Sequence, residues 1–474
     1  MLDSLNEFLW TVSTYLWGLP LTALLAGTGL YLTIKLWFIQ VRGFGTAFRF
    51  ILPIGTLSGK VSSEQSESKG KKGQIGELSY YQALSTVLSS TIGTGNIVGV
   101  ATAISVGGPG ALLWMWVVAL LGMATKYSEC VLALTYREKS IYGHTKGGPM
   151  YYIEKGLGQR YRPLALTFSA CGVMAALGAG DMVQSNSISS ALAEPLSRLT
   201  PLSLSSLRGA IGIALFIATV LVIVGGLRRI AGVASYLVPF MVLGYLLAGL
   251  VTLALNSHRI IPALWEIIYC TPSPGAVAGG FAGGGVWLAM RMGVARGIFS
   301  NEAGLGSAPI AYAAIITDHP VKGGLVALLE PFLDTIVVCT TTALVVITSD
   351  LWREGVSGAV LTSRAFQSQL PGVGGFVVPL SLTLFAYTSI LGWYYYGERC
   401  VEYLLGVASV PFYKAVFLLA LLVGAVMKLE IVWNFADLAN GLMALPNLLA
   451  LLLLSNVVRE KTKDYFGKES TRST

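Results

Sequence analysis

The sequence predicts an all-α polytopic membrane protein of about 11 transmembrane helices, in which an extra N-terminal helix precedes a five-plus-five inverted repeat. Its composition is 54% hydrophobic and only 12% charged, whereas soluble domains carry about 25% charged residues. Apolar runs of about 20 residues, the length that spans a bilayer, recur along nearly the whole chain. Two of these runs, five runs apart, are interrupted by glycine clusters, which predicts a broken first helix in each repeat.

The apolar runs define predicted spans, numbered span 1 to span 11 in chain order. They lie at 14–38, 81–107, 111–136, 163–192, 208–226, 232–256, 276–300, 321–348, 376–404, 411–427 and 431–455. An N-terminal helix and loop over 1–80 thus precede a first repeat over 81–256, and a second repeat over 276–455 precedes a tail over 456–474. The connections are short, which leaves no room for a separate catalytic domain.

The orientation follows from the basic residues of the connections. Most of the loop Lys and Arg residues follow spans 1, 3 and 5 or lie in the C-terminal tail. The positive-inside rule then predicts an N-terminus outside and a C-terminus in the cytoplasm of a plasma, or inner, membrane. The net charge of +8 is explained by this bias, and nucleic-acid binding is not expected.

Span 2 is interrupted by the sequence Gly93-Thr94-Gly95-Asn96. Two glycines remove helix propensity and side-chain bulk together, while the threonine and asparagine supply a hydroxyl and an amide. A bilayer offers no water to free backbone groups, so a broken helix at this depth indicates a cavity or a bound polar ligand. The alternative is a surface for close helix packing.

A second glycine cluster, 279–285, lies in span 7 and is predicted to break that helix too. Because five spans separate the two breaks, the second repeat would insert with reversed topology, and both breaks would meet near the midplane of the bilayer. The alternative is that two unrelated clusters occur by chance in a chain with 55 glycines.

Seven short stretches resemble the alanine or glycine:cation symporters, which share the leucine-transporter fold of the amino acid-polyamine-organocation superfamily. The stretches are GTGNIVGV (93–100), GGPGA (107–111), GGPMYYI (147–153), MVQSNSI (182–188), RGIFSNEAG (296–304), GWYYYGE (392–398) and DLANGLMALPN (437–447). They run in order from span 2 to span 11, so the resemblance extends over nearly the whole chain. One departure is Asp181, where a neutral Asn is more usual in this family, and it changes the local polarity of the site.

The first break suggests how an amino acid would bind. Backbone N–H groups at the start of the half-helix after Gly95 suit a carboxylate, because a helix N-terminus carries positive partial charge. The side-chain oxygen of Gln184 suits an ammonium group. The full predicted set of substrate residues is Thr94, Gly95, Asn96, Gln184, Phe281, Gly284, Trp287 and Trp393. Its aromatic members are candidate walls that favour small substrates, although Phe281 and Trp287 have ordinary helix packing as the alternative.

A sodium ion is predicted at the other side of the first break. Hard cations prefer oxygen ligands, and the break releases carbonyls over 89–92, including those of Ser89, Thr91 and Ile92. The resemblance implies that span 9 faces this point with Thr388 and Ser389. Hydrogen bonding within or between helices is the alternative role for these two hydroxyls.

Several ionisable residues fall inside or beside the predicted spans. Asp334 and Asp181 are candidates for carrying a proton or a cation. Glu330 is predicted at a solvated end or in a pair with Lys322. Arg296 and Glu302, placed near the inner end of span 7, are interpreted as a cytoplasmic gate or a structural ion pair.

Three classes of function are compatible with a polytopic helical protein. A sodium-coupled symporter that imports alanine or glycine by alternating access is predicted, with proton coupling or glutamine transport as the alternatives. A channel would need a continuous polar pore. An enzyme is disfavoured, because the three histidines all fall in loops and no catalytic motif is present. The expected partners are the amino acid, sodium and the lipid bilayer, with no other cofactor and no obligatory protein partner.

Overall fold

The structure, a computed structural model, describes residues 2–51, 76–140, 144–197, 199–269, 282–427 and 429–472. Within these ranges nine helical stretches are long and apolar enough to cross a membrane, and the bent pair Tyr80–Thr91 and Gly95–Gly107 makes a tenth. The helix of span 7, Ala282–Asn301, is as long as that of span 5 but is less apolar because it contains Arg291 and Arg296, and it begins beside residues outside the described part. The predicted all-α polytopic fold is confirmed.

Each predicted span corresponds to one helix or to a few consecutive helical pieces. In order of span they are Leu2–Leu16 with Leu19–Lys35; Tyr80–Thr91, Gly95–Gly99 and Val100–Gly107; Gly110–Tyr136; Arg162–Leu177, Gly178–Met182 and Val183–Ser197; Leu204–Ile223; Gly226–Leu255; Ala282–Asn301; Pro320–Ala327, Leu329–Pro331, Phe332–Cys339 and Thr340–Thr348; Gly374–Leu405; Val410–Val426; and Leu429–Arg472. The pieces Gly95–Gly99, Gly178–Met182 and Phe332–Cys339 are π-helical, a widened helix that often marks functional sites.

Short elements fill the connections. Helices lie at Ile39–Arg42, Phe44–Ile51, Pro149–Leu157, Ile260–Ile268 and Gly358–Gln369, and single 3₁₀ turns lie at Gln159–Tyr161, Ser257–Arg259, Leu351–Glu354 and Val407–Ser409. The helix Ala308–Tyr312 belongs to the second part of span 7. Strand β1, Glu138–Lys139, pairs antiparallel with strand β2, Thr145–Lys146. The last helix continues to Arg472, so the predicted tail is helical over its described residues.

Span 2 breaks at the predicted place. Its first helix starts with a capping box between Ser79 and Gln82, which satisfies two free N–H groups at the helix start. It ends where Ile92 adopts an extended ψ of 94°, and the two halves meet at an angle of 52°. A Cβ atom at Gly93 would lie 2.5 Å from the Ser389 hydroxyl, and one at Gly95 would lie 3.0 Å from Ser300 Cα. Glycine is therefore required by close contact with spans 9 and 7.

Span 7 also breaks, but later than predicted. Residues 282–285 of the glycine cluster are helical, so that part of the prediction is wrong, and 279–281 lie outside the described residues. The helix instead ends at Asn301 and resumes at Ala308. Between them Glu302, Gly304 and Gly306 have φ values of 54°, 91° and 81°. Positive φ favours glycine and cannot continue an α-helix, so the helix breaks there. The glycines at 283–285 stay helical because in a bilayer only the helix itself satisfies their backbone groups.

The burial of the spans separates a core from a lipid-facing layer. In span 3, 83% of the apolar window is buried, against 28% in span 5 and 33% in span 6. Span 7 packs between span 3 and the second half of span 2, where Gly107 approaches Ala289 so closely that a Cβ would lie 3.0 Å from its Cα. Small residues at such crossings let membrane helices approach without side-chain bulk. The two broken spans therefore meet in the middle of the bundle.

Candidate substrate and ion site

A small cavity lies where the breaks of spans 2 and 7 meet. Residues from spans 2, 4, 7, 9 and 11 form its wall. They are Ser90, Thr91, Gly93, Thr94, Gly95, Ala179, Gln184, Phe299, Glu302, Trp393 and Asn440. The predicted residues Thr94, Gly95, Gln184 and Trp393 are among them. We call the space that these residues enclose the central cavity.

The break of span 2 presents two polar groups of Thr94 to the central cavity, and one of them is unpaired. The Thr94 backbone N–H donates to Gln184 Oε1 at a long 3.4 Å, and the Thr94 hydroxyl is buried with no hydrogen-bond partner among the described residues. The Gln184 amide nitrogen donates to the Ala179 carbonyl at 3.0 Å. Gln184 therefore bridges the broken segment of span 2 and the π-helical segment of span 4.

Asn96, predicted to bind substrate, does not line the central cavity. Its Oδ1 accepts from the Gly93 N–H at 2.9 Å, and its Nδ2 donates to Asp334 Oδ1 at 2.6 Å. The Asp334 carboxylate is fully buried and also accepts from the hydroxyls of Ser300 and Thr335, both at 2.8 Å. Asp334 thereby joins span 8 to the breaks of both span 2 and span 7.

Oxygen atoms converge at the predicted sodium position, but the Thr388 hydroxyl is bonded elsewhere. The Ser389 hydroxyl donates to the Ser90 carbonyl at 3.1 Å and lies 3.5 Å from the Ile92 carbonyl. In contrast, the Thr388 hydroxyl donates to Phe385 O in its own helix at 3.0 Å. The hydroxyls of Ser89 and Thr91 likewise donate to carbonyls of their own helix, at 2.7 Å and 3.1 Å.

The chain matches a known family of membrane transporters over its described length and beyond. The family model described as the sodium:alanine symporter family matches residues 2–474. The chain belongs to the sodium:alanine symporter family. Its predicted resemblance is thereby confirmed, and membership makes the chain a sodium-coupled amino acid symporter of the membrane rather than an enzyme.

Two relatives illustrate the range of this symporter family, and one solved structure shares its fold. The chain is 45% identical over 461 residues to the sodium/alanine symporter AgcS of Methanococcus maripaludis, covering 96% of both chains. It is 35% identical over 475 residues to the probable sodium/glutamine symporter GlnT of Bacillus subtilis, covering 98% of this chain and 91% of the relative. The crystal structure of MhsT in complex with L-phenylalanine matches with a TM-score of 0.57 at 13% identity, covering 82% of this chain and 99% of that one. This last likeness concerns the fold alone.

The walls of the symporter's cavity differ in part from the prediction. Phe299 and Asn440 line it but were not among the predicted residues, although they lie in the stretches 296–304 and 437–447 that carry the family resemblance. Trp287 is 45% exposed and is not part of the wall. Gly284 lies in the helix Ala282–Asn301, and Phe281 lies outside the described residues.

The charged groups of the symporter pair differently from the prediction. Glu330 is fully buried and forms an ion pair with Lys126 at 2.6 Å, so the predicted pairing with Lys322 or with solvent is wrong. Lys322 instead pairs with Asp318. The reason lies in helix geometry, because Glu330 follows the helix Pro320–Ala327 by a full turn and faces span 3.

Arg296 and Glu302 also have separate environments. Arg296 forms an ion pair with Asp437 of span 11 at 3.3 Å, whereas Glu302 lines the central cavity. Glu302 Oε1 accepts from the Trp393 indole N–H at 3.0 Å. The sequence predicted both residues near the inner end of span 7. Because span 7 continues past Asn301 to Tyr312, Arg296 and Glu302 lie near its middle.

Asp181, the departure from the family pattern, lies in the π-helical segment Gly178–Met182. It is fully buried, and neither carboxylate oxygen has a hydrogen-bond partner among the described residues. It does not line the central cavity. Across the described part of the chain, no group of three or more His, Cys, Asp or Glu residues is arranged to hold a metal ion.

Proposed function

We propose that this symporter imports a small neutral amino acid, alanine or glycine, together with sodium by alternating access. The observation that carries the proposal is the junction of the two broken spans, where one cavity brings together backbone N–H groups, side-chain acceptors and aromatic walls. Broken helices at the midplane supply both charges of an amino acid with complementary partners. The cluster of carbonyl and hydroxyl oxygens beside this cavity suits sodium.

The substrate carboxylate binds at the start of the segment Gly95–Gly107. This segment points its first N–H groups at the break, and its partial positive charge favours an anion. The buried and unpartnered Thr94 hydroxyl supplies a further donor at the same place. Gln184 holds the Thr94 N–H in position and releases it when a stronger acceptor arrives.

Sodium binds between spans 2 and 9. The Ser389 hydroxyl lies against the carbonyls of Ser90 and Ile92, and rotation of that hydroxyl turns its oxygen from a donor into a third ligand. The carbonyls of Ser89 and Thr91 are further ligands, and Thr388 contributes less because its hydroxyl is bonded within its own helix. Because the same break holds both the ion and the carboxylate, binding of one ligand orders the site for the other.

The wall of the cavity favours small substrates. Phe299 and Trp393 are part of it, and Gly180 packs so tightly on Trp393 that any added Cβ would overlap the indole. The likeness to the sodium/alanine symporter AgcS points the same way. Glutamine, in the name of the relative GlnT, is the alternative substrate, and protons are the alternative coupling ion.

Two ion pairs on opposite sides of the cavity serve as gates in this proposal. With the N-terminus outside, Arg296 and Asp437 lie on the outer side, and Lys126 and Glu330 lie on the cytoplasmic side. The outer pair is 19% and 17% exposed, whereas the inner pair is fully buried. Opening toward the cytoplasm therefore requires separation of a desolvated pair, which is costly without rehydration.

The proposal is tested by transport into proteoliposomes. Labelled alanine, glycine and glutamine are supplied under an inward sodium gradient or an inward proton gradient, each imposed separately. Saturable uptake of alanine or glycine that follows sodium alone is the expected result. Uptake that follows protons, or glutamine transported faster than alanine, contradicts the proposal. Cysteine accessibility at the N-terminal residues in intact cells tests the orientation.

A further inference from the structure

The central cavity contains one ionisable side chain. Of the residues that line it, only Glu302 carries a charge. The other acceptors are largely occupied, because Gln184 Oε1 accepts from the Thr94 N–H and the Ser90 hydroxyl is bonded to Tyr396. We propose that the Glu302 carboxylate and the Asn440 side-chain oxygen bind the ammonium group of the transported amino acid. This inference rests on the proposed function and names the feature by which the site recognises its substrate.

Glu302 is held rigidly with spare acceptor capacity. Its Oε1 accepts from the Trp393 indole and its Oε2 accepts from the Ser307 hydroxyl. A carboxylate has about four lone-pair sites, so both oxygens can accept a further hydrogen bond from the cavity. The backbone of Glu302 has a φ of 54°, an unfavourable conformation for a residue other than glycine. Such strain is concentrated at functional sites, where it fixes a side chain in place.

No cation of the protein neutralises Glu302 directly. Among the described residues no Lys, Arg or His side chain lies within 4.0 Å of the Glu302 carboxylate, the limit for an ion pair, and the buried cation Lys126 is bonded to Glu330 at 2.6 Å. Glu302 is only 3% exposed. A carboxylate in such a setting is costly unless a cation accompanies it. The ammonium group of the substrate supplies that charge within the cavity.

Asn440 provides an independent indication of the same ligand. It lies on span 11, is 2% exposed, and lines the central cavity. Its Oδ1 has no hydrogen-bond partner among the described residues. Buried polar atoms in folded proteins nearly always have partners, so an unpartnered acceptor in a ligand cavity indicates a donor on the ligand. An ammonium group has three N–H donors, enough for both Glu302 and Asn440.

The test compares L-alanine with L-lactate, which replaces the ammonium group with a hydroxyl and keeps the rest of the molecule. Competition binding is measured on the purified full-length protein at saturating sodium. We expect Glu302→Gln to weaken L-alanine binding by about 100-fold, as expected when one partner of a buried charge pair is removed. Binding of L-lactate should change by less than about 3-fold, because its hydroxyl makes no charge pair. Asn440→Ala should weaken alanine binding by about 10-fold and should likewise change lactate binding much less.

Glu129→Gln is the matched control, since Glu129 is another fully buried carboxylate that does not line the cavity. The control should keep the preference for alanine over lactate. Equal weakening of both ligands by Glu302→Gln, or an unchanged preference in both Glu302→Gln and Asn440→Ala, overturns the inference alone. If Glu302→Gln fails to fold, the ratio of alanine affinity to lactate affinity in Asn440→Ala decides. A wild-type protein that binds none of alanine, glycine and glutamine overturns the proposed function as well.

Discussion

Asn96 of span 2 donates its side-chain amide to the carboxylate of Asp334 in span 8, with 2.6 Å between Nδ2 and Oδ1. The same asparagine accepts from the Gly93 N–H, so one side chain satisfies the broken backbone and ties it to a buried acid. Substrate and sodium are both proposed to bind at this break. The geometry of both sites therefore depends on a contact that neither ligand touches.

We expect Asn96→Ala to impair transport through this contact. Loss of the amide leaves the Gly93 N–H and part of the Asp334 carboxylate without a partner, at a cost of about 1–3 kcal/mol. Both the melting temperature in detergent and the rate of sodium-driven alanine uptake should fall. Asn186→Ala is the matched control, because Asn186 is equally buried and donates to Gly424 O and Met427 O away from the cavity. A variant that loses stability like the control but keeps full alanine affinity would show that the contact between Asn96 and Asp334 does not support the binding site.

The sequence predicted the spans and the first break well, for physical reasons. Membrane spans must be apolar over about 20 residues, and Gly93 and Gly95 interrupt such a run beside polar side chains. The break of span 7 was misplaced, because glycine density does not distinguish helical glycines such as Gly285 from the positive φ of Gly304. Glycine content is a poor guide where the bilayer itself enforces helical hydrogen bonding.

The partners of the site residues were harder to predict than the residues themselves. Thr94 and Trp393, both predicted site residues, line the cavity, but Asn440 was missed because it lies in the last span, 344–347 positions from the first break along the chain. The pairing of Glu330 with Lys126 joins residues 204 positions apart. Such contacts depend on how spans are arranged in the bundle, which hydrophobic patterning does not specify.

Gln184→Ala should weaken amino acid binding at saturating sodium by about 1–3 kcal/mol. The side chain bridges the Thr94 N–H and the Ala179 carbonyl, so its loss frees one group on each wall of the cavity. Isothermal titration with alanine measures the change. Gln369→Ala serves as the control, since Gln369 bonds Val345 O and Ala365 O outside the central cavity. If both variants alter only the melting temperature, the Gln184 amide has no role in binding.

The protein should lose stability in acid through His319, which lies just before span 8. Burial lowers the pKa of His319 below its ordinary value of 6.5, and its Nδ1 accepts from the Val321 N–H, which requires a neutral ring. The unfolded chain then binds the proton more readily, so this contribution is complete above about pH 6.5 and is lost as pH falls through the lower folded pKa.

The size of this effect is less than about 1 kcal/mol, because the ring is partly exposed and its charge is screened. Thermal unfolding in detergent between about pH 5 and pH 8 measures it. His319→Asn keeps an acceptor for the Val321 N–H and removes the titrating group, so it should flatten that part of the pH profile. An identical profile for the variant would assign the acid sensitivity to other groups.

Sodium affinity should depend on Ser389 far more than on Thr388. The Ser389 hydroxyl already lies against two carbonyls of the span 2 break, whereas the Thr388 hydroxyl is bonded within its own helix. We expect Ser389→Ala to lower the apparent sodium affinity by about 10-fold and Thr388→Ala by less than about 3-fold, as loss of an oxygen ligand or of a local hydrogen bond implies. Sodium-dependent alanine binding measures both.

Linkage separates an ion-site defect in Ser389→Ala from a damaged fold. If sodium and alanine bind cooperatively, the variant should bind alanine poorly at low sodium and recover wild-type affinity at high sodium. Ser189→Ala is the control, because Ser189 is also a buried serine and donates to Asn186 O and Ala425 O between spans 4 and 10. It should leave the sodium dependence unchanged. Wild-type sodium dependence in the Ser389→Ala and Thr388→Ala double variant would place the ion elsewhere. The buried carboxylates Asp334 and Asp181 are then the next residues to test.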